Sequence, residues 1–228
     1  MYQFFSNKQV EDKIEQFILS RVPDYHERTF SDQKLILSKL IRGCRSCKLA
    51  YESGYNPVPS VLVKDCFAVF IGRNPNKLEA KTNELFPSGT GIGSLFDSYL
   101  RVLGIERSES SILNMANCYC TGGRSPEHEC VSQCVGFKSK EFELIGDKFR
   151  VVFLMGNDAC RWLLGDNQSV INLQGKIYTI KTPREIDLIP VMHPSHLLVD
   201  QSYRQDVQNI LKSVRNEVKR LRLIPEGV

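Results

Sequence analysis

Cys66-Phe67-Ala68-Val69-Phe70-Ile71-Gly72-Arg73-Asn74-Pro75-Asn76 is the stretch that decides the fold. Six apolar residues run up to a glycine and then give way to polar and turn-forming ones, the mark of a buried strand opening onto a loop. Three similar runs follow: Ile112-Leu113-Asn114-Met115-Ala116, Arg150-Val151-Val152-Phe153-Leu154-Met155-Gly156 and Leu188-Ile189-Pro190-Val191-Met192. Helical patterns lie between and after them, at about Ile92–Leu103, Glu127–Ile145, Asp158–Leu164 and Ser202–Leu221. Strands that alternate with helices predict an α/β protein, a three-layer α/β/α sandwich around a central, mainly parallel four-stranded sheet.

Upstream of the first strand, residues 1 to about 42 show helical spacing at Val10, Ile14, Phe17 and Ile18, and again at Leu35, Ile36, Leu40 and Ile41. Pro23 interrupts the pattern, Ser31 is the expected N-cap of the second helix, and Tyr51 to Ser60 reads as a loop. At 228 residues the chain suits one substantial core, so a single domain over 1–228 is expected, with 1–30 as an additional helical segment. No run of 18 apolar residues occurs, which excludes a membrane span, and the N-terminus lacks the pattern of a secretory leader. A cytoplasmic, nucleoid-associated monomer is expected. The net charge of +4 permits nucleic-acid binding without requiring it. Arg204, Lys212, Arg215, Lys219, Arg220 and Arg222, against Asp206 and Glu217, read as the solvated face of a terminal helix.

In sheets of this kind ligands sit beyond the carboxyl ends of the strands, so the residues there are the ones to read. After the last strand comes His193-Pro194-Ser195-His196-Leu197-Leu198, and after the first Gly72-Arg73-Asn74-Pro75-Asn76 with Phe86 not far behind. Asn114 ends the second. Each has a plain structural reading when taken alone: a packed loop histidine, a core phenylalanine, a sheet-end asparagine. Their joint occurrence at strand ends argues for a site.

Of eight cysteines, Cys66 and Cys160 lie in apolar runs and read as buried small hydrophobes. Cys44 and Cys47 form a C-x2-C pair, and Cys118, Cys120, Cys130 and Cys134 fall close together. Thiols clustered in this way, in a chain expected to be cytosolic, point to a metal before they point to disulfides.

On these residues the chain resembles the uracil-DNA glycosylase superfamily, and within it the iron–sulfur branch of families 4 and 5, over about residues 31 to 220. That branch shows C-x2-C, then an asparagine-bearing strand, then C-x15-C enclosing an arginine, a proline and an acid. Here stand Cys44-x2-Cys47, Asn114, and Cys118-x15-Cys134 enclosing Arg124, Pro126 and Glu129. Gly156-Asn157-Asp158-Ala159, Leu163-Leu164-Gly165 and Leu173-Gln174-Gly175 resemble further landmarks. The first motif departs. The branch usually reads G-E-A-P-G or G-L-A-P-G, whereas Asn74 here matches the asparagine of the G-x-N-P-G motif in the mismatch-specific and single-strand-selective branches.

The resemblance implies hydrolysis of the bond between sugar and a flipped-out base, uracil first among candidates, with DNA as the partner. His193 would donate a hydrogen bond to the departing base anion and Asn74 would orient the attacking water. Phe86, Asn114 and Gly72 would hold the base. Ser195 would meet a phosphate, and Leu197 or Leu198 would wedge into the stack. Cys44, Cys47, Cys118 and Cys134 would ligate a [4Fe-4S] cluster, with structural zinc as the rival, and Cys120 and Cys130 would be spare. A glycosylase for another modified pyrimidine and an inactive DNA-binding relative remain as alternatives. A serine hydrolase does not, since no G-x-S-x-G occurs.

Overall fold

The computed structural model describes residues 8–165, 167–181 and 185–223. They form two compact units, one built around the sheet (65–72, 86–112 and 148–223) and one helical (8–64, 73–85 and 113–147).

The sheet is made of β1 (Ala68–Gly72), β2 (Ser110–Asn114), β3 (Val151–Met155), β4 (Tyr178–Lys181) and β5 (Glu185–Val191). Their order is β2-β1-β3-β5-β4. β1 and β3 run parallel, with Phe70 opposite Phe153, and β3 and β5 run parallel from Val151 opposite Asp187 to Met155 opposite Val191. Every residue of β1, β2 and β3 is buried, as expected of strands covered on both faces. The covering helices are α5 (Gly91–Leu103), α7 (Asn157–Leu164), α8 (Val170–Leu173) and α10 (Arg204–Arg222). Phe70 and Phe153 stack at 4.6 Å, and Phe96 of α5 meets Phe70 edge-on at 5.0 Å, while α7 packs on β3. This is the expected α/β/α layering, with Cys66 and Cys160 in the core at 1% and 0% exposure.

The strand count is five, not four. β4 pairs antiparallel with the first half of β5, Tyr178 opposite Leu188 and Lys181 opposite Glu185. Its residues alternate between half-buried and exposed, so no apolar run announces it. Pro190 lies past the last residue of β5 that β4 pairs, where its missing N–H deprives that edge of nothing.

The helical unit contains α1 (Lys8–Leu19), α2 (Phe30–Arg42), α3 (Leu49–Glu52), α4 (Lys77–Thr82) and α6 (His128–Ile145). α1, from the expected N-terminal helical segment, packs on α6 at Gly136, where a Cβ would stand 2.6 Å from Ile14 and 2.9 Å from the Val10 carbonyl. The N-cap of α2 is Thr29 rather than Ser31: its hydroxyl accepts from the Asp32 N–H at 3.3 Å. A buried cation anchors α6. Lys138 Nζ donates to Glu141 at 2.6 Å, to Asn117 Oδ1 at 2.7 Å and to Ser60 at 3.3 Å. No described helix is long and apolar enough to cross a membrane.

Candidate functional site

In the sheet unit, β5 ends at Val191 and delivers His193. The turn that follows bends the chain back on the imidazole. Ser195 N–H points at His193 Nδ1 from 3.2 Å, and Ser195 Oγ lies 2.7 Å from the same nitrogen. An amide N–H can only donate, so Nδ1 carries the lone pair and the ring proton sits on Nε2. The local backbone thus selects the tautomer in which Nε2 is the donor.

Phe86 faces this ring. Its centroid is 5.5 Å from that of His193, and on its own account it stacks on Phe96 at 4.5 Å. Its backbone is held in the left-handed region (φ 47°), sparsely populated for a bulky residue. Two contacts support that conformation: Arg107 donates to the Phe86 carbonyl at 3.0 Å, and Gly93 leaves room for the Pro87 carbonyl, which a Cβ would meet at 2.1 Å. Thr90 caps α5 beside them, accepting from Gly93 N–H. The Phe86 ring is only 1% exposed, so it is a core wall as well as a neighbour of the histidine.

His196 to Val199 form a single helical turn, α9, started by backbone bonds from Leu197 N–H to Pro194 and from Leu198 N–H to Ser195. That turn corrects one expectation. Leu197, expected at the DNA, is 3% exposed and faces inward, because the turn points its side chain at the core. Leu198 and Val199 face outward, at 51% and 88% exposure, with Leu198 over Gly91 at the start of α5. Gly72 closes β1, buried.

Asn74 and Asn114 belong to the helical unit. Both ends of the Asn74 amide are engaged: Oδ1 accepts from Arg73 Nε at 2.7 Å and Nδ2 donates to the Pro75 carbonyl at 2.9 Å. Arg73 also reaches Ser125 Oγ at 3.3 Å and the Gly123 carbonyl at 3.2 Å, tying the first motif to the loop between Cys118 and Cys134. Asn76 is explained by local structure. It is the N-cap of α4 in a full capping box, accepting from Leu78 and Glu79 N–H while Glu79 accepts from its own N–H at 2.8 Å. Asn114, at the end of β2, is 4% exposed. Arg73 and the Asn76 box are the residues that a motif comparison alone leaves unexplained, although N-x-x-E is itself a legible capping signal.

Six cysteines gather in the helical unit. Cys118, Cys120 and Cys130 pack with Leu49, Ala50 and Cys47. Burial pushes the Cys118 thiol far up, and the neighbouring charges of Cys134, Cys47 and Cys44 push it further. Cys134 is pushed up to about 11 by burial, with the Lys138 ammonium and the Asn117 N–H opposing. Cys120 is likewise pushed up to about 11 by burial, opposed by Arg73 and reinforced by Cys130. Burial raises Cys130 as well, and Cys47 adds to it. Among the described residues no three His, Cys, Asp or Glu side chains are arranged to hold a metal ion. The donor chemistry nevertheless fits a thiolate-bound group. Thiols near enough to resist each other's ionisation are the set whose ionisation a bound cation reverses. Cys120 and Cys130 take part in this mutual repulsion too, so it does not separate them from the expected quartet of Cys44, Cys47, Cys118 and Cys134.

With this geometry in hand, the chain can be set beside known proteins. The description of the uracil DNA glycosylase superfamily matches residues 61–215. The type-4 uracil-DNA glycosylase of Sulfurisphaera tokodaii is 25% identical over 177 residues, covering 75% of this chain and 79% of its own. That of Thermotoga maritima is 28% identical over 168 residues (73% and 84%), and that of Archaeoglobus fulgidus 24% identical over 179 residues (76% and 87%). The matched span runs from before β1 to within α10, so it takes in His193, Phe86, Asn74, Asn114 and the loop of Cys118 and Cys134: the chain belongs to the uracil DNA glycosylase superfamily.

Proposed function

We propose that the chain is a DNA glycosylase that removes uracil from DNA by hydrolysing its N-glycosidic bond, leaving an abasic site. The observation that carries this reading is the fixed tautomer of His193 beside the Phe86 ring at the end of β5. As the bond between C1′ and the base breaks, its electron pair goes to the base and the sugar becomes oxocarbenium-like. An Nε2–H donor aimed at the base oxygen strengthens its hydrogen bond as that negative charge develops, which is catalysis by preferential binding of the transition state. Water then adds to C1′ and its proton passes to solvent. The Ser195 N–H aimed at Nδ1 keeps the donor on Nε2, where the developing negative charge needs it.

The remaining roles rest on the resemblance. Asn74 orients the water; it is too weak a base to deprotonate it, and an oxocarbenium centre requires little deprotonation. Arg73 holds the Asn74 carbonyl oxygen at 2.7 Å, so in this chain the motif's second residue positions the third. Asn114, at the end of β2, offers a donor and an acceptor to the pairing edge of the base. Gly72 leaves space beside the base, Ser195 meets a phosphate, and Leu198 takes the wedge position in place of Leu197. Cys44, Cys47, Cys118 and Cys134 would hold a [4Fe-4S] cluster, in preference to zinc, through four thiolates. Cys120 and Cys130 stay outside the ligand set.

Incubation of the purified chain with single- and double-stranded oligonucleotides carrying uracil or modified pyrimidines, followed by alkaline cleavage, tests the activity. Cleavage at uracil is expected. Cleavage only at a modified pyrimidine would keep the chemistry and change the substrate, and Arg73, absent from the usual motif, would be the first residue to examine. No cleavage on any substrate would leave a DNA-binding protein.

A further inference from the structure

We infer that the helical unit carries a second nucleic-acid contact, a groove that takes a single strand by its phosphates and one base. The groove, of about 730 Å³, is walled by the end of α2, α3, the loop at 54–56 and the end of α4. That volume is in the range of sites that hold small ligands, and it is open to solvent along one side. Arg42, Arg45 and Lys81 line it, and no aspartate or glutamate does. Nor does any of the three form an ion pair with a described carboxylate; their side-chain partners are neutral.

Those neutral partners make the arrangement more than a solvated surface. Arg42 donates to Asn83 Oδ1, and Arg45 donates to Asn56 Oδ1 at 3.2 Å and to the Cys44 carbonyl at 2.7 Å. The two guanidiniums are therefore held in place without being neutralised, which reduces the entropy lost when an anion arrives. Tyr51 reaches over Arg45, its hydroxyl donating to the Arg45 carbonyl at 3.3 Å, and is 69% exposed. An exposed aromatic ring beside unpaired cations is the combination that binds single strands, through stacking on one base and counterion release at the phosphates. A competing explanation is that Arg42 and Lys81 only complement the carbonyl ends of α2 and α4. Arg45 shares in that role, its Nη1 donating also to the Arg42 carbonyl at 3.4 Å, but the exposed Tyr51 ring beside it is left without a purpose.

The inference rests on the chain acting on DNA, and the two readings can fail separately. The probe is a fluorescein-labelled oligothymidylate, which contains no excisable base, titrated by anisotropy at several salt concentrations. Each lost phosphate contact on a single strand should flatten the dependence of log K on log salt by about 0.7. Lys81→Gln should therefore flatten it by about 0.7 and the triple change Arg42→Gln, Arg45→Gln, Lys81→Gln by about 2, while Arg42→Lys with Arg45→Lys keeps the slope. Tyr51→Ala should weaken binding at least about fivefold at fixed salt. Lys212→Gln on α10 serves as a control and should change nothing. The arginines flank Cys44, so if the triple variant unfolds, Lys81→Gln and Tyr51→Ala decide. Unchanged slope and affinity in those two overturns the groove, even if uracil is excised normally. A flattened slope in a chain that excises nothing would sustain the groove and sink the glycosylase.

Discussion

A residue's worth in this chain depends on what its neighbours leave it free to do. His193 is useful as a donor because Ser195 occupies its other nitrogen twice, once with an N–H that no mutation of the side chain removes. His193→Ala should thus cost about 2.7–4 kcal/mol of transition-state stabilisation, a ~100- to 1,000-fold slower single-turnover excision with DNA affinity retained. Ser195→Ala removes only the hydroxyl, and a loss near tenfold is expected, about the worth of one hydrogen bond. If Ser195→Ala proved as damaging as His193→Ala, the backbone bond would not be what fixes the tautomer. Gly93 shows the same dependence in packing. With the Pro87 carbonyl 2.1 Å from where its Cβ would be, Gly93→Ala must shift the Phe86–Pro87 backbone, costing about 1–3 kcal/mol in denaturant unfolding and displacing the ring beside His193. His193 and Asn114 could be singled out in the sequence because they lie at or just past the ends of β5 and β2, whereas Phe86 follows α4, away from any strand end. The sequence did not reveal that Leu197 turns inward, because a one-turn helix after a proline leaves no periodicity to read.

At the level of elements, what was legible followed from burial. The four mostly apolar runs became β1, β2, β3 and β5, and the helices α5, α6, α7 and α10 begin and end within two residues of their patterns. β4 was illegible for the opposite reason: an edge strand that is half solvated needs few apolar residues. On the basic face of α10, two of the six expected residues, Arg220 and Arg222, are ion-paired. Arg220 binds Glu217, and Arg222 binds Glu109 at 2.7 and 2.8 Å, lying over Phe67. The Arg222 hydrogen bond holds the Glu109 carboxyl below its ordinary range. A depressed carboxylate contributes stability that is present above its unfolded pKa and lost as pH falls through the folded one. Glu109→Gln should therefore lower the melting temperature at pH 7 by the equivalent of about 0.5–1 kcal/mol, the pair being one-third exposed. The difference should close as pH drops below about 4. A gap that persists unchanged in acid would mean that packing, not charge, is what the substitution disturbs. In the helical unit, Asn76→Ala should cost about 1 kcal/mol through loss of the capping box.

For the molecule as a whole, the family followed from spacing, and spacing survives where overall identity has fallen to 23–28%. The cysteine pairs and their spacing were legible for the same reason, although the packing of Cys118, Cys120 and Cys130 with Cys47 was not, since it is set by long-range contacts. Gently purified protein should be brown, absorb broadly near ~400 nm and carry about four irons per chain, and Cys118→Ala should bleach and destabilise it. Stoichiometric zinc in a colourless protein would reverse that assignment, and bleaching by Cys120→Ser would redraw the ligand set. The central claim is narrower and can be met by a single comparison: the single-turnover rate at which wild-type and His193→Ala proteins release uracil from the same oligonucleotide. The account predicts excision by the wild type and a ~100- to 1,000-fold slower rate in the variant at unchanged DNA affinity. Equal rates in the two proteins would contradict it.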